Sequence, residues 1–354
     1  MDNSKIPAFS SSADTEPGIL HPILEVRNLS ACVNKNKKIY KILNNISFNI
    51  EKGEILGLAG ESGCGKSVTA LSVAGLLPEA VKVTEGEINY NSGNLLTLDE
   101  IKMRSVRGSE ISLIFQDVRQ ALNPLMKAGD QIIEMLELEK TKLKIQEKTE
   151  SRKNNKEEVL KTLLSLGFDN PEKIFNAYPH QLSGGMCQRI MTAIAVIRSP
   201  KLLLGDEMSS SLDEESRNRC MSLLLDMNQK NKLSVLLISH DLSIIKENCA
   251  RFLIMYSGRI IEEGPSSSLF SPLHPYTKAL VNSIANKEKR GEKLTCITGK
   301  PPSVEENNKE GCPFAPRCPK VKNICSAAFP SEIIAGKNKV FCYYPEISIH
   351  TENH

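Results

Sequence analysis

Gly60-Glu61-Ser62-Gly63-Cys64-Gly65-Lys66-Ser67 matches the phosphate-cradling pattern G-x-x-x-x-G-K-S/T at every fixed position. An apolar run (Ile55, Leu56, Leu58, Ala59) precedes it, and Val68 to Leu77 read as the helix that follows. Strand, loop and helix in that order decide the fold, because the loop works by geometry. Glycines let the backbone wrap a phosphate, and successive N–H groups at a helix N-terminus face its charge. Lys66 is expected to reach the β- and γ-phosphates, and the Ser67 hydroxyl to help hold Mg²⁺.

The chain has 354 residues, enough for one large domain with an appendage or for two domains. Hydrophobic content of 40% with 25% charged residues describes an ordinary globular protein. A net charge of +3 is too small to argue for nucleic acid binding. No apolar run approaches the length of a membrane span. Residues 1–22 read as a flexible tail rather than a signal peptide, so a cytoplasmic location is expected.

Residues 23–270 alternate β-branched runs with longer helical patterns, which predicts an α/β fold with a largely parallel core sheet. Core strands are expected at Glu54–Ala59, Ile111–Phe115, Lys201–Gly205 and Ser234–Ser239. Arg251–Tyr256 and Arg259–Glu263 flank Ser257-Gly258, a two-residue hairpin turn. Leu24–Leu29 and Ile46–Ile50 read as antiparallel strands around the basic stretch Lys35–Lys41. The Lys/Glu-rich residues 139–158 read as a solvated helix or surface insertion. After Phe270, prolines break the pattern and a helix survives mainly between Tyr276 and Ala285. Residues 271–354 therefore read as an extension held by something other than a large core.

Second signals narrow the chemistry. Leu202-Leu203-Leu204-Gly205 is a buried-strand pattern ending in Asp206 and Glu207. Such a strand end lies beside the phosphate loop, where Asp206 can hold the Mg²⁺ shell and Glu207 can polarise water as a general base. Ser239-His240-Asp241 follows another apolar strand and brings His240 to the same sheet edge. Gln116 ends a further strand there, and its neutral amide suits water or Mg²⁺ coordination.

Leu182-Ser183-Gly184-Gly185-Met186-Cys187-Gln188-Arg189 leads into a helix expected at Ile190–Ile197. Ser183, Gly184 and Gly185 offer a hydroxyl and bare N–H groups at a helix N-terminus, a second anion site. One chain cannot readily close two cradles on one ATP. The simplest resolution is that the second cradle serves ATP held by a partner subunit.

With these motifs in order, the sequence resembles the ATPase subunit of an ABC transporter over almost the whole chain beyond residue 23. The resemblance implies an ABC-type P-loop NTPase with a mixed core sheet, an antiparallel β subdomain and a helical subdomain, plus a Cys-rich C-terminal extension. It implies that Gly60 to Ser67, with Val68, bind ATP, and that Gln116 is the Q-loop. Leu182 to Gln188 resemble the signature, with Ser183, Gly184, Gly185 and Gln188 facing nucleotide. Asp206 and Glu207 resemble the Walker B aspartate and catalytic base, Ser211-Leu212-Asp213 the D-loop, and His240 the switch histidine. Mg²⁺ would then be held by Ser67, Gln116 and Asp206. The chain departs from the family at Met208 and Val118, where proline is usual, and at Cys187, where arginine is usual. None of these removes a catalytic group. Tyr40 stands near the place of the adenine-stacking aromatic but is shifted toward the following strand.

The ending is similar to the oligopeptide/dipeptide importer ATPases: Gly264-Pro265, Leu269-Phe270, His274-Pro275-Tyr276-Thr277, then Cys312-Pro313-Phe314-Ala315-Pro316-Arg317-Cys318-Pro319. Gln116-Asp117 followed by Leu122-Asn123-Pro124 fits the same branch. Cys312, Cys318, Cys325 and Cys342 are spaced C-x5-C-x6-C-x16-C. Structural zinc usually draws on tight C-x2–4-C pairs, and the wider spacing suits a bulkier 4Fe-4S cluster, which the resemblance also implies. Zinc or four reduced thiols are the alternatives. A metal there would staple a Pro-rich extension with little core of its own.

The resemblance implies a second ATP-binding subunit, identical or homologous, and two membrane permeases contacted through Ala121–Leu138. An extracytoplasmic substrate-binding protein would act indirectly, and the chain would sit at the cytoplasmic face of the membrane. Nickel or metal-chelate importers share the subfamily. A non-transport ABC protein acting on DNA or ribosomes usually has two cassettes or a coiled-coil insertion, and this sequence shows neither.

Overall fold

The computed structural model describes residues 21–35, 37–137, 145–208, 212–283, 297–306 and 310–346. Most of the expected tail, Ser211 and part of the charged run lie outside the described residues.

Strands β1 (Leu24–Lys35) and β2 (Lys38–Ile50) form one long antiparallel hairpin, paired from Leu24 opposite Ile50 to Lys35 opposite Lys38 with register shifts between Val26 and Cys32. Both outrun the short strands expected from sequence. The basic stretch is the exposed end of this hairpin, where charged side chains discourage edge pairing. Strand β3 (Ile55–Ala59) is buried throughout and feeds the phosphate loop. Helix α1 (Lys66–Ala74) starts two residues before the expected Val68 and stops short of Leu77. Its end is set by Gly75, which takes the left-handed conformation (φ 63°).

Strand β4 (Val81–Tyr90), not foreseen from its polar sequence, pairs with β1, and β5 (Gly93–Asn94) completes a four-stranded antiparallel sheet. Helix α2 (Glu100–Val106) leads to β6 (Ile111–Ile114). The helical layer follows: α3 (Val118–Ala121), α4 (Ala128–Glu137), α5 (Ile145–Ser165), α6 (Pro171–Phe175) and α7 (Gly184–Val196). Helix α5 takes in the later part of the charged run, and Asn154, Glu157 and Glu158 are exposed as a solvated face requires. Helix α7 begins six residues before the expected Ile190, because Ser183 caps it.

The chain then returns to the core with β7 (Leu202–Asp206), α8 (Glu214–Asn231), β8 (Ser234–Ile238), α9 (Leu242–Asn248), β9 (Arg251–Tyr256) and β10 (Arg259–Pro265). Ser257 and Gly258 both have positive φ (49° and 75°), as the tight turn between β9 and β10 demands. Helices α10 (Pro275–Asn282) and α11 (Asn323–Ala327) and strands β11 (Ile333–Ala335) and β12 (Asn338–Val340) follow.

The large sheet runs β11-β12-β10-β9-β3-β8-β7-β6. Strands β6, β7, β8, β3 and β9 are parallel neighbours, and the rest are antiparallel. Strands β7 and β8 are buried at every residue, which is why they read as unbroken apolar runs. One face packs against α1 and the antiparallel sheet, the other against α8, α9 and α10. The helical layer has its own core around Ile132, Leu163, Phe175 and Ile190.

The expectation that the segment after residue 270 lacks a share in a large core is corrected here. Strand β12 pairs with β10, and Phe314 is buried with Tyr256 and Tyr276, ring centroids 5.4 and 5.3 Å away. A few scattered aromatics between prolines give no periodic signal, yet they bury a great deal of surface.

Candidate active site

The phosphate loop is built on conformations that side chains resist. Gly60 has φ 154°, and a Cβ there would lie 2.2 Å from the Met255 carbonyl oxygen. Gly65 has φ 113°, and a Cβ there would lie 2.9 Å from Leu43 Cδ2. Lys66 is buried, and its Nζ donates to the carbonyls of Gly60 (2.8 Å) and Glu61 (3.0 Å). The ammonium is thereby tethered across the loop. Ser62 and Gly63 are exposed, whereas Cys64 is buried and burial pushes its thiol pKa up. Val68 is half-buried and packs on the core, so its contribution is to seat the helix.

Four parallel strands deliver their ends to this loop. Asp206 terminates β7, buried; desolvation pushes its carboxyl pKa up, while a hydrogen bond from the Ser67 side chain opposes this. Asp206 Oδ1 has no hydrogen-bond partner among the described residues. A buried carboxylate oxygen without a donor, beside a serine hydroxyl, is a donor set that suits Mg²⁺. Glu207 follows with positive φ (51°), and its carboxylate accepts from Gln116 Nε2 at 3.0 Å. The other Glu207 oxygen lies 3.6 Å from His240 Nδ1. Lys66, Ser67, Asp206, Glu207, Gln116 and His240 are thus gathered at one edge of the sheet, as the sequence predicts. Met208 is buried against Gly205, where a Cβ would meet its sulfur at 2.8 Å. The residue that replaces the usual proline is therefore a packing element.

The glycine-rich helix start lies elsewhere. Ser183 accepts the Met186 N–H at 3.2 Å and caps α7, which packs in the helical layer against α3, α4 and α5. Gly184 and Gly185 form its first turn, both half-buried, and Ser183 is exposed. Gln188 and Cys187 are fully buried in that layer, and the Cys187 thiol donates to the Pro179 carbonyl at 3.7 Å. Asp213 caps α8, accepting from the Ser216 N–H at 2.9 Å, which lowers its pKa.

Two residues that sequence reading did not assign also touch the loop. Tyr276 Oη accepts the Glu61 N–H at 2.8 Å, and Arg317 grips the Glu61 carboxylate. No local pattern announces such contacts, since the partners lie more than 200 positions apart.

Cys312, Cys318, Cys325 and Cys342 line one small apolar cavity with Phe314 and Pro330. All four are free thiols, and Cys312 is pushed up to about 11 by burial. Among the described residues no three His, Cys, Asp or Glu side chains are arranged to hold a metal ion, so the expected metal centre is not present as a formed ligand set. No helix among them is long and apolar enough to cross a membrane.

A phosphate loop, paired strand-end carboxylates, a strand-end glutamine and histidine, and a helical layer with a Ser-capped, glycine-rich helix start define an ATP-binding cassette. Comparisons with known proteins agree. The model of the ABC transporter family matches residues 43–210, and that of the oligopeptide/dipeptide transporter C-terminal region matches residues 261–325. The dipeptide transport ATP-binding protein DppD of Bacillus subtilis is 38% identical over 317 residues, 89% of this chain and 92% of the relative. The oligopeptide transport ATP-binding protein OppD of Escherichia coli is 34% identical over 346 residues, 98% of each chain. The dimeric structure of MJ0796, a bacterial ABC transporter cassette, superposes with a TM-score of 0.62 at 25% identity, covering 69% of this chain and 98% of that one. The chain belongs to the ATP-binding subunits of the oligopeptide/dipeptide ABC transporters.

Proposed function

We propose that this chain hydrolyses ATP to energise the import of oligopeptides or dipeptides through membrane permeases. The observation that carries the catalytic part is the convergence of Lys66, Ser67, Asp206, Glu207, Gln116 and His240 at the ends of β3, β6, β7 and β8. Gly60 to Val68 bind the phosphates, with Lys66 released from its loop carbonyls to reach them. Ser67, Gln116 and Asp206 would hold Mg²⁺, which neutralises phosphate charge. Glu207 takes the proton of the attacking water, oriented by Gln116 and His240. Ser183, Gly184, Gly185 and Asp213 would face the ATP of a second, identical or homologous subunit, and Gln188 would brace the signature helix from within.

Residues 23–270 form the ATP-binding domain in this reading, residues 1–22 a tail, and residues 271–354 the extension. A groove of about 310 Å³ between the core and the helical layer, lined by Leu76, Phe115, Ala121, Met135 and Met191, supports permease docking. That docking would hold the chain at the cytoplasmic face of the membrane, with the substrate-binding protein acting from the other side. Uptake of labelled peptides should be lost in a deletion strain and restored by this chain. Restored nickel uptake with no effect on peptides would overturn the peptide reading.

The four cysteines would hold a 4Fe-4S cluster, which when bound cross-links the extension. Their shared cavity supports this, and the C-x5-C-x6-C-x16-C spacing lacks the tight C-x2–4-C pairs that structural zinc usually draws on. Anaerobically purified protein lacking both iron and broad visible absorbance would sink the cluster.

A further inference from the structure

Arg317 stands in the turn between Cys312 and Cys318, yet its guanidinium forks onto Glu61 of the phosphate loop. Nη1 donates to Oε2 at 2.6 Å and Nη2 to Oε1 at 3.0 Å. Nη1 also donates to Tyr256 Oη (3.1 Å), Nε to the Thr298 carbonyl (2.8 Å) and Nη2 to the Gly299 carbonyl (3.3 Å). All five N–H donors of the side chain are thereby matched. The Arg317 side chain is 5% exposed and that of Glu61 21%. An exposed ion pair of this kind would contribute little. This one is largely removed from water, bidentate and fully hydrogen-bonded, the setting in which losing one partner is costly.

The contact acts on two properties of the loop. Glu61 is fixed at its backbone by Tyr276 and at its carboxylate by Arg317, so the N–H groups that cradle phosphate are pre-organised. The guanidinium also neutralises a carboxylate that would otherwise repel the phosphates beside it. We propose that Arg317 is a positioning residue for ATP, acting through Glu61, and that it makes ATP affinity depend on how the cysteine-rich segment is held. This rests on the phosphate-loop reading above.

Fluorescently labelled ATP titrated with Mg²⁺ against the full-length chain tests it, with each variant's fold checked by circular dichroism. Arg317→Met is expected to weaken affinity about tenfold, within the range typical of coupling between sites. Adding Glu61→Gln removes the exposed negative charge, so the double variant should bind several-fold tighter than Arg317→Met alone. Arg317→Met binding as the wild type does, or losing the same affinity with and without Glu61→Gln, would overturn the proposal. If Arg317→Met does not fold, Arg317→Lys decides: it keeps the charge and drops the fork. Weaker binding with faster amide exchange across residues 60–65 is then expected, and no change in either overturns the role. Lys66→Ala separates the two readings. Full affinity in Lys66→Ala fails the phosphate loop itself, whereas its loss beside an unaffected Arg317→Met fails only Arg317.

Discussion

Glu207 occupies the left-handed region (φ 51°), which costs a non-glycine residue on the order of 1–3 kcal/mol. Its N–H donates to the Ile238 carbonyl at 3.1 Å, so the turn out of β7 is pinned to the end of β8. That turn aims the carboxylate between Gln116 and His240 rather than along the strand. Glu207→Gln keeps the shape and an acceptor oxygen but cannot take a proton at neutral pH. Turnover should fall by about 10²-fold or more, the usual range for a general base, with labelled-ATP affinity near that of the wild type. Phosphate release and nucleotide binding measured on one preparation check this, and near-normal turnover would reject Glu207 as the base.

Among the elements, the central strand explains what could be read from sequence. The strands β3, β7 and β8 are continuous apolar runs with chemistry at their ends, so pattern and motif coincide and their bounds fall within a residue of expectation. Strand β4 was hidden because half its residues face water, and β11 and β12 because three-residue strands leave no period. The gathering of Gln116, Glu207 and His240 was legible once four strand ends were assigned to one edge. The grip of Arg317 on Glu61 was not, because it depends on how the extension folds back. Close packing behind β3 also has a pH signature. A Cβ on Gly57 would meet Ile245 Cγ2 at 2.5 Å and Cys249 Sγ at 3.1 Å, so that thiol is wedged against the strand. Burial pushes Cys249 up to about 12 and Cys220 up to about 11. Below about pH 8.5 both are protonated whether folded or not and leave stability unchanged. Above it the unfolded chain ionises first, the folded state binds more protons, and stability falls toward the folded values by up to about 1.4 kcal/mol per pH unit for each thiol. Buried Tyr90 and Tyr276, also shifted upward, add to the loss at higher pH. Melting followed from pH 8 to 10.5 should slope less steeply in Cys249→Ala than in the wild type. Equal slopes would mean that this thiol is not sequestered.

At the scale of the whole molecule, the phosphate loop and the proposed second anion site start from different layers of the fold. The phosphate loop rises from the core sheet, whereas Ser183 to Gly185 open a helix that packs on α3, α4 and α5 and, further along, also touches β6 and α8. A site shared between two chains uses both without requiring either layer to fold onto the other. Ser183→Arg places bulk and charge at the second site and removes a helix cap worth roughly 1 kcal/mol, leaving Lys66 and its loop untouched. The isolated variant should therefore bind labelled ATP within about twofold of the wild type, a difference under 0.5 kcal/mol. In the assembled transporter the same variant should hydrolyse ATP more slowly if, as proposed, the ATP it fails to enclose is held by a partner subunit. Hydrolysis is then expected to recover when wild-type chain replaces the variant, with binding unchanged throughout. Loss of ATP binding by isolated, folded Ser183→Arg would place both cradles on one nucleotide within one chain and would remove the shared site.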